Sequence, residues 1–177
     1  MQERRNVEIK AQVGDWNGLK SIAETVSDTE CRVLEQEDFF FPARSGMLKL
    51  RILEKGRGEL IRYSRKGVGG PALSTYQIFR TENPLLLKEV LASSLGVSVV
   101  VKKRRLLYLA GQTRIHLDRV ENLGDFVELE CVLTDDQSEE EGRRIVSELM
   151  NRLGIGRSAL IFSTYADMIR SAGEAAE

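Results

Sequence analysis

Like charges recur two positions apart along this chain: Lys49 with Arg51, Lys103 with Arg105, and Glu128 with Glu130. Arg114, His116 and Asp118 keep the same spacing, and Glu8 stands two residues before Lys10. Successive strand residues point to opposite faces, so in strands each of these sets shares one face. Carboxylates such as Glu128 and Glu130 repel unless a cation lies between their heads. A divalent metal would serve, and so would an arginine on a neighbouring strand. Carboxylates and water suit Mg²⁺ or Mn²⁺, while Lys and Arg grip phosphate oxygens, Arg as a bidentate fork. Together these groups ask for a long, strongly anionic ligand that carries a hard cation, and a nucleotide or other triphosphate meets both demands. No GxxxxGK[ST] loop is present, and the GVGGP stretch at 67–71 precedes no phosphate-binding helix, so side chains would have to hold the phosphates.

Strands are predicted wherever those pairs occur. Val7, Ile9, Ala11 and Val13 alternate with Asn6, Glu8, Lys10 and Gln12. Gly14 ends that strand, and Asp15 is placed to cap an amphipathic helix carrying Trp16, Leu19, Ile22, Ala23 and Val26. Arg32 to Phe41 reads as a strand, Pro42 to Gly46 as a turn, and Met47 to Leu53 as the returning strand with Lys49 and Arg51 on one side. Glu59 to Lys66 puts Ile61, Tyr63 and Arg65 on one face, residues 67–71 read as a flexible loop, and Leu73 to Phe79 resumes the sheet. Pro84 opens a helix that Gly96 closes. From Val99 to Leu133 three strands follow one another, with turns at Gly111–Gln112 and Asn122–Gly124. A capping-box pair, Ser138 and Glu141, starts a helix, a short helix begins near Ser163, and the tail from Gly173 is expected to fray.

The 177 residues are read as one domain over 1–177. Lys plus Arg number 26 against 27 for Asp plus Glu, so net charge steers the chain toward neither nucleic acid nor membrane. The KKRR run at 102–105 alternates within a strand and sends half its charge to each face, which argues against nucleic acid. Cys31 and Cys131 cannot form a disulfide framework and are read as buried free thiols. The polar N-terminus and the lack of a long apolar run make a cytoplasmic protein the simplest reading. About eight strands and four amphipathic helices admit two architectures. In one, an open sheet leaves its charged face in water; in the other, the sheet closes into a barrel with helices outside and charges in the lumen.

The order of motifs carries a resemblance. NVEIK at 6–10, LKLR at 48–51, VKKRR at 101–105, TRIHLD at 113–118 and LGDFVELE at 123–130 resemble the CYTH superfamily, the triphosphate tunnel metalloenzymes. QEDFFF at 36–41, GPALSTY at 70–76 and STYADMI at 163–169 are similar to its class IV adenylyl cyclase branch. The resemblance implies an α+β fold, an eight-stranded antiparallel closed barrel with helices packed outside and the charged stripes inside. It implies Glu8, Glu128 and Glu130 as ligands of Mg²⁺ or Mn²⁺, and Lys10, Lys49, Arg51, Arg65, Lys103, Arg105 and Arg114 as phosphate contacts. Lys10 and Asp118 take catalytic roles, Asp118 by supporting the metal or orienting a base. The expected activity is conversion of ATP to cyclic AMP and pyrophosphate. The alternatives are hydrolysis of thiamine triphosphate, tripolyphosphate or a nucleotide, and a protein that binds triphosphate without turnover. The chain departs from the family's ExExK signature at Asn6, where an amide replaces a carboxylate.

Several residues carry two readings. His116, the one histidine, is read as structural or as support for the site. Trp16 is read as helix packing, and at least two of Phe39, Phe40 and Phe41 as core. Tyr165 is either a cover over one tunnel mouth or an ordinary packed tyrosine.

Overall fold

The computed structural model describes residues 3–66 and 70–174. Among them β1 (Arg4–Gln12), β2 (Arg32–Phe41), β3 (Met47–Ile52), β4 (Gly58–Lys66), β5 (Ala72–Thr81), β6 (Val99–Ala110), β7 (Thr113–Val120) and β8 (Gly124–Val132) form the sheet. It closes in the order β1-β5-β4-β3-β2-β6-β7-β8, with every neighbouring pair antiparallel. The closed barrel is therefore the architecture formed, and the open sheet is excluded. Closure also removes the unpaired edges that a sheet of this size would expose. Four helices accompany it: α1 (Trp16–Val26), α2 (Pro84–Leu95), α3 (Glu139–Leu153) and α4 (Tyr165–Glu174).

Local signals account for most boundaries. Asp15 accepts a hydrogen bond from the Gly18 N–H at 2.9 Å and caps α1, and the Ser138–Glu141 capping box opens α3. The β6–β7 turn needs Gly111, whose φ of 54° lies in the left-handed region. Several ends differ from the sequence pattern; β5, for one, runs from Ala72 to Thr81. β1 starts at Arg4, because Arg4 and Arg5 pair with Tyr76 and Thr75 of β5, and β3 stops at Ile52. Residues 67–69 of the expected loop and the last three of the expected frayed tail lie outside the described residues; Gly173 and Glu174 belong to α4.

The barrel has an apolar outside and a charged inside. Val7, Ile9 and Ala11 of β1, Ile115 and Leu117 of β7, and Val127, Leu129 and Cys131 of β8 pack under Ala23 of α1 and Val146, Leu149, Met150 and Leu153 of α3. Each Val, Leu, Ile or Met among them contributes about 1.5–3 kcal/mol on removal from water. α2 covers Phe39, Phe41 and Leu50 with Leu87 and Leu91, and Phe40 points the other way, into a second cluster with Val101, Phe126 and Tyr165 beside the cavity, so all three phenylalanines are buried. Trp16 packs against the main cluster with the Arg119 guanidinium 4.4 Å above its ring. Cys131 is buried, whereas Cys31 precedes β2 and is half-buried. The outward halves of the basic run, Lys102 and Arg104, meet Glu37 and Glu35 on the exposed face.

α3 approaches the barrel through Gly142. A Cβ there would lie 2.7 Å from both Val7 Cγ2 and Leu133 Cδ2. Gly142→Val is therefore expected to cost about 1–3 kcal/mol by overpacking, read as a lower urea midpoint with the slope unchanged. An unchanged midpoint would show that α3 can lift off without loss.

Candidate active site

Register, more than sequence proximity, assembles the tunnel interior. Asp38 lies opposite Arg51 on one side, Glu128 lies between Lys10 and His116, and Glu130 lies between Glu8 and Arg114. Arg105 faces Asp118. The result is a cavity of about 190 Å³ lined by every residue expected from sequence to touch phosphate or metal: Glu8, Lys10, Lys49, Arg51, Arg65, Lys103, Arg105, Arg114, Glu128 and Glu130. Asp118 is the exception among the expected site residues. It is fully buried behind this wall, where Arg105 Nε and Nη2 donate to its two oxygens at 2.6 and 2.5 Å and the Tyr165 hydroxyl donates at 3.0 Å.

The interior divides into two charge clusters. On the β2–β3–β6 side three cations converge on Asp38. Arg51 donates to it twice, at 2.7 and 2.9 Å, Lys103 at 2.8 Å and Lys49 at 3.1 Å. Burial would raise the Asp38 pKa, but Arg51, Lys103 and Lys49 outweigh it and hold the carboxyl well below its usual range. Asp38 is the main residue that sequence reasoning missed. Its signal was present: it stands two residues after Gln36 and two before Phe40, on the face of QEDFFF that turns inward.

On the β1–β7–β8 side the carboxylates gather. Arg105 donates to Glu128 at 2.6 Å, Lys10 lies 3.4 Å from the same carboxylate, and Arg114 donates to Glu130 at 3.2 Å. Burial opposes the charged form of Glu128, yet Lys10, His116 and Arg105 keep its pKa well below normal. Glu8 behaves differently. Burial first, then the facing charge of Glu130, pushes its pKa to about 7, and it pairs with Arg65 at 3.4 Å. Among the described residues the tightest group able to hold a metal is His116, Glu128 and Glu130, with ligand atoms within 4.8 Å of one another. His116, read from sequence as structural or supporting, belongs to that group, whereas Glu8 stands outside it.

α4 brings Tyr165 to the cavity wall. The Tyr165 ring packs edge-on to Phe126 at 5.1 Å, and Lys10 Nζ sits 3.9 Å over its other side. The same ammonium donates to the Ser163 carbonyl at 3.1 Å. Tyr165 thus packs as core and lines the cavity at once. Burying so many ions is costly, and such pairs are poor evidence for stability alone.

An antiparallel barrel carrying phosphate-gripping cations beside a carboxylate cluster defines a tunnel protein for polyanions. The chain belongs to the CYTH domain family, whose domain matches residues 4–165. A Pyrococcus horikoshii protein is 26% identical, with a TM-score of 0.81 over 92% of this chain and 98% of the other. A candidate adenylate cyclase of Vibrio parahaemolyticus shares the fold at 17% identity, with a TM-score of 0.74 over 96% and 99% of the two chains. So does a candidate adenylyl cyclase of Hippeastrum, described as having a dominant triphosphatase activity, at 16% identity and a TM-score of 0.64 over 94% and 96%. No curated protein gives a significant match.

Proposed function

We propose that this chain binds a linear triphosphate with a divalent cation inside the barrel and hydrolyses it at the terminal phosphorus. The observation carrying this reading is the convergence of Lys49, Arg51, Lys103, Arg105, Arg65 and Arg114 on one cavity that also holds Glu8, Glu128 and Glu130. The phosphate chain of the substrate would lie among these cations inside the barrel. The described triphosphatase activity of the Hippeastrum protein points the same way, at the level of a shared fold.

The donor set fits a hard divalent cation: Glu128 and Glu130 stand two positions apart on one face of β8, and Glu130 Oε1 accepts no hydrogen bond among the described residues. Mg²⁺ or Mn²⁺ held by Glu128 and Glu130, with Glu8 beside them, would neutralise charge developing on phosphate oxygens. The residues of the chain do the remainder. The Asp38-centred cations grip one end of the polyphosphate, and Arg105, Arg65 and Arg114 meet the other phosphates in positions fixed before the substrate arrives. Lys10, fixed by Ser163 and Tyr165, presents its N–H to the attacking water or attacked group. Water adds to the terminal phosphorus, the bond to the bridging oxygen breaks, and orthophosphate and diphosphate result. Asp118 acts by holding Arg105 and Tyr165 rather than by touching substrate.

The cyclase reading retains one specific support. Phe40 and Tyr63 present rings 5.6 and 5.5 Å from Lys49 Nζ, an aromatic wall beside the phosphate cations that a nucleoside could use. Phosphorus NMR of the protein with ATP, and separately with tripolyphosphate, in Mg²⁺ and then Mn²⁺ separates the reactions. Orthophosphate is expected from both; cyclic AMP with pyrophosphate would establish cyclisation, and shifted signals without product would establish a binding protein.

Binding itself should depend on pH through Lys103. Burial, opposed by Asp38 and reinforced by Arg51, Arg105 and Lys49, pushes this lysine down to about 7. A bound phosphate favours its charged form, so binding above pH 7 takes up a proton, and affinity falls up to about tenfold per pH unit there. Titration calorimetry at pH 8 in buffers of different ionisation enthalpy should show this uptake. Lys103→Arg, which stays charged, should lose it; equal uptake in both proteins would remove Lys103 from the account.

A further inference from the structure

We propose that His116 Nδ1 is a direct metal ligand alongside Glu128 and Glu130, and that this nitrogen makes the tunnel a Mn²⁺ rather than a Mg²⁺ site. The inference rests on the metal-dependent reading above and deepens it. His116 is 4% exposed, and its Nδ1 is buried without a hydrogen-bond partner. That atom lies 3.7 Å from Glu130 Oε1 and 3.9 Å from Glu128 Oε2, too far for a hydrogen bond and correctly spread for a shared cation. A buried ring nitrogen left unpaired is costly, so something absent from the protein itself is needed to satisfy it.

The position of the ring narrows the choice. His116 does not line the cavity; it stands behind the two carboxylates, where a phosphate held by the wall cations does not reach it. Its available partner is whatever Glu128 and Glu130 hold between them. Cross-strand register fixes this arrangement, because His116 pairs with Glu128 across β7–β8 and Arg114 with Glu130. Glu8 lies outside that cluster of ligand atoms, and the imidazole supplies its third member.

A nitrogen donor changes which metal wins. Mg²⁺ strongly prefers oxygen and keeps its waters, whereas imidazole suits first-row transition ions and carboxylate still suits Mn²⁺. A set of one imidazole and two carboxylates therefore selects Mn²⁺ from a mixture with Mg²⁺.

Electron paramagnetic resonance of the tag-free chain with Mn²⁺, alone and with tripolyphosphate, tests this directly. His116 is the single histidine, so labelling histidine with nitrogen-15 reports on it without any substitution. Spin-echo modulation from a directly bound nitrogen, changed by the label, is the expected result. His116→Gln should abolish that modulation and weaken Mn²⁺ binding by about 10–100-fold, while Mg²⁺ binding measured by competition changes little. Bound Mn²⁺ with no nitrogen modulation would overturn the inference and leave a carboxylate-only metal site standing. Modulation unaffected by the label would overturn it as well, and equal competition by Mg²⁺ would overturn the selectivity. No bound Mn²⁺ under either condition would overturn both this inference and the metal-dependent reading.

Discussion

Asp38→Ala is expected to lower the stability of the ligand-free protein by about 3–5 kcal/mol, and added tripolyphosphate is expected to restore far more stability to the variant than to the wild type. The reason is the geometry at Asp38. A carboxylate 1% exposed is the anion shared by Lys49, Arg51 and Lys103, and removing it strands buried positive charge. Burial already depresses Lys103 and Lys49, and without Asp38 both are driven further toward their neutral forms. That relief absorbs part of the loss, but Arg51 cannot lose its proton. A bound polyphosphate would supply the missing negative charge and stabilise by mass action. The sign with pH follows from the lowered Asp38 pKa. Its contribution is fully present above the ordinary carboxylate pKa and is lost as pH falls through the lower folded value. Urea unfolding at neutral pH, with and without tripolyphosphate, reads both effects. A variant as stable as wild type would show that the three cations do not depend on Asp38.

Glu130→Gln should reduce turnover by about 10²–10³-fold, the cost of removing one preorganised electrostatic group, while polyphosphate binding is retained or tightened. Glutamine keeps the shape of the side chain and can still accept from Arg114, now 3.2 Å away. What it removes is a negative charge facing both Glu8 and the shared space with His116 and Glu128. Losing that charge favours an incoming anion but weakens any cation held there. The change should therefore fall on kcat and leave KM within a few-fold. Single-turnover kinetics beside calorimetric binding separates the two quantities. A loss confined to binding would place Glu130 among the structural carboxylates.

The cavity-lining cations were legible because alternation is a local property. Once Lys49 and Arg51, or Lys103 and Arg105, are placed in strands, their sharing a face follows from backbone geometry alone, and all four line the cavity. The same rule separated Lys102 and Arg104 from their inward neighbours. Helix ends at Asp15 and Ser138 were legible because the capping side chain and its N–H lie three residues apart.

Asp38 shows where that reasoning stops. It sits in the charged run EQED, and its partners lie 11, 13 and 65 residues away. Asp118 shared a face with Arg114 and His116 as expected, yet pairing of β7 with β6 gave it to Arg105, and α4 added Tyr165 from 47 residues away. Likewise β1 alone offered Glu8 as a metal ligand, and the neighbouring β5 and β4 brought Arg65 to it. Sequence by itself determined which residues are strand-borne, which face each shares and which charges those faces carry. Tertiary structure decided which charge neutralises which, because cross-strand register and barrel closure are set by pairings between distant segments, and no local period encodes them.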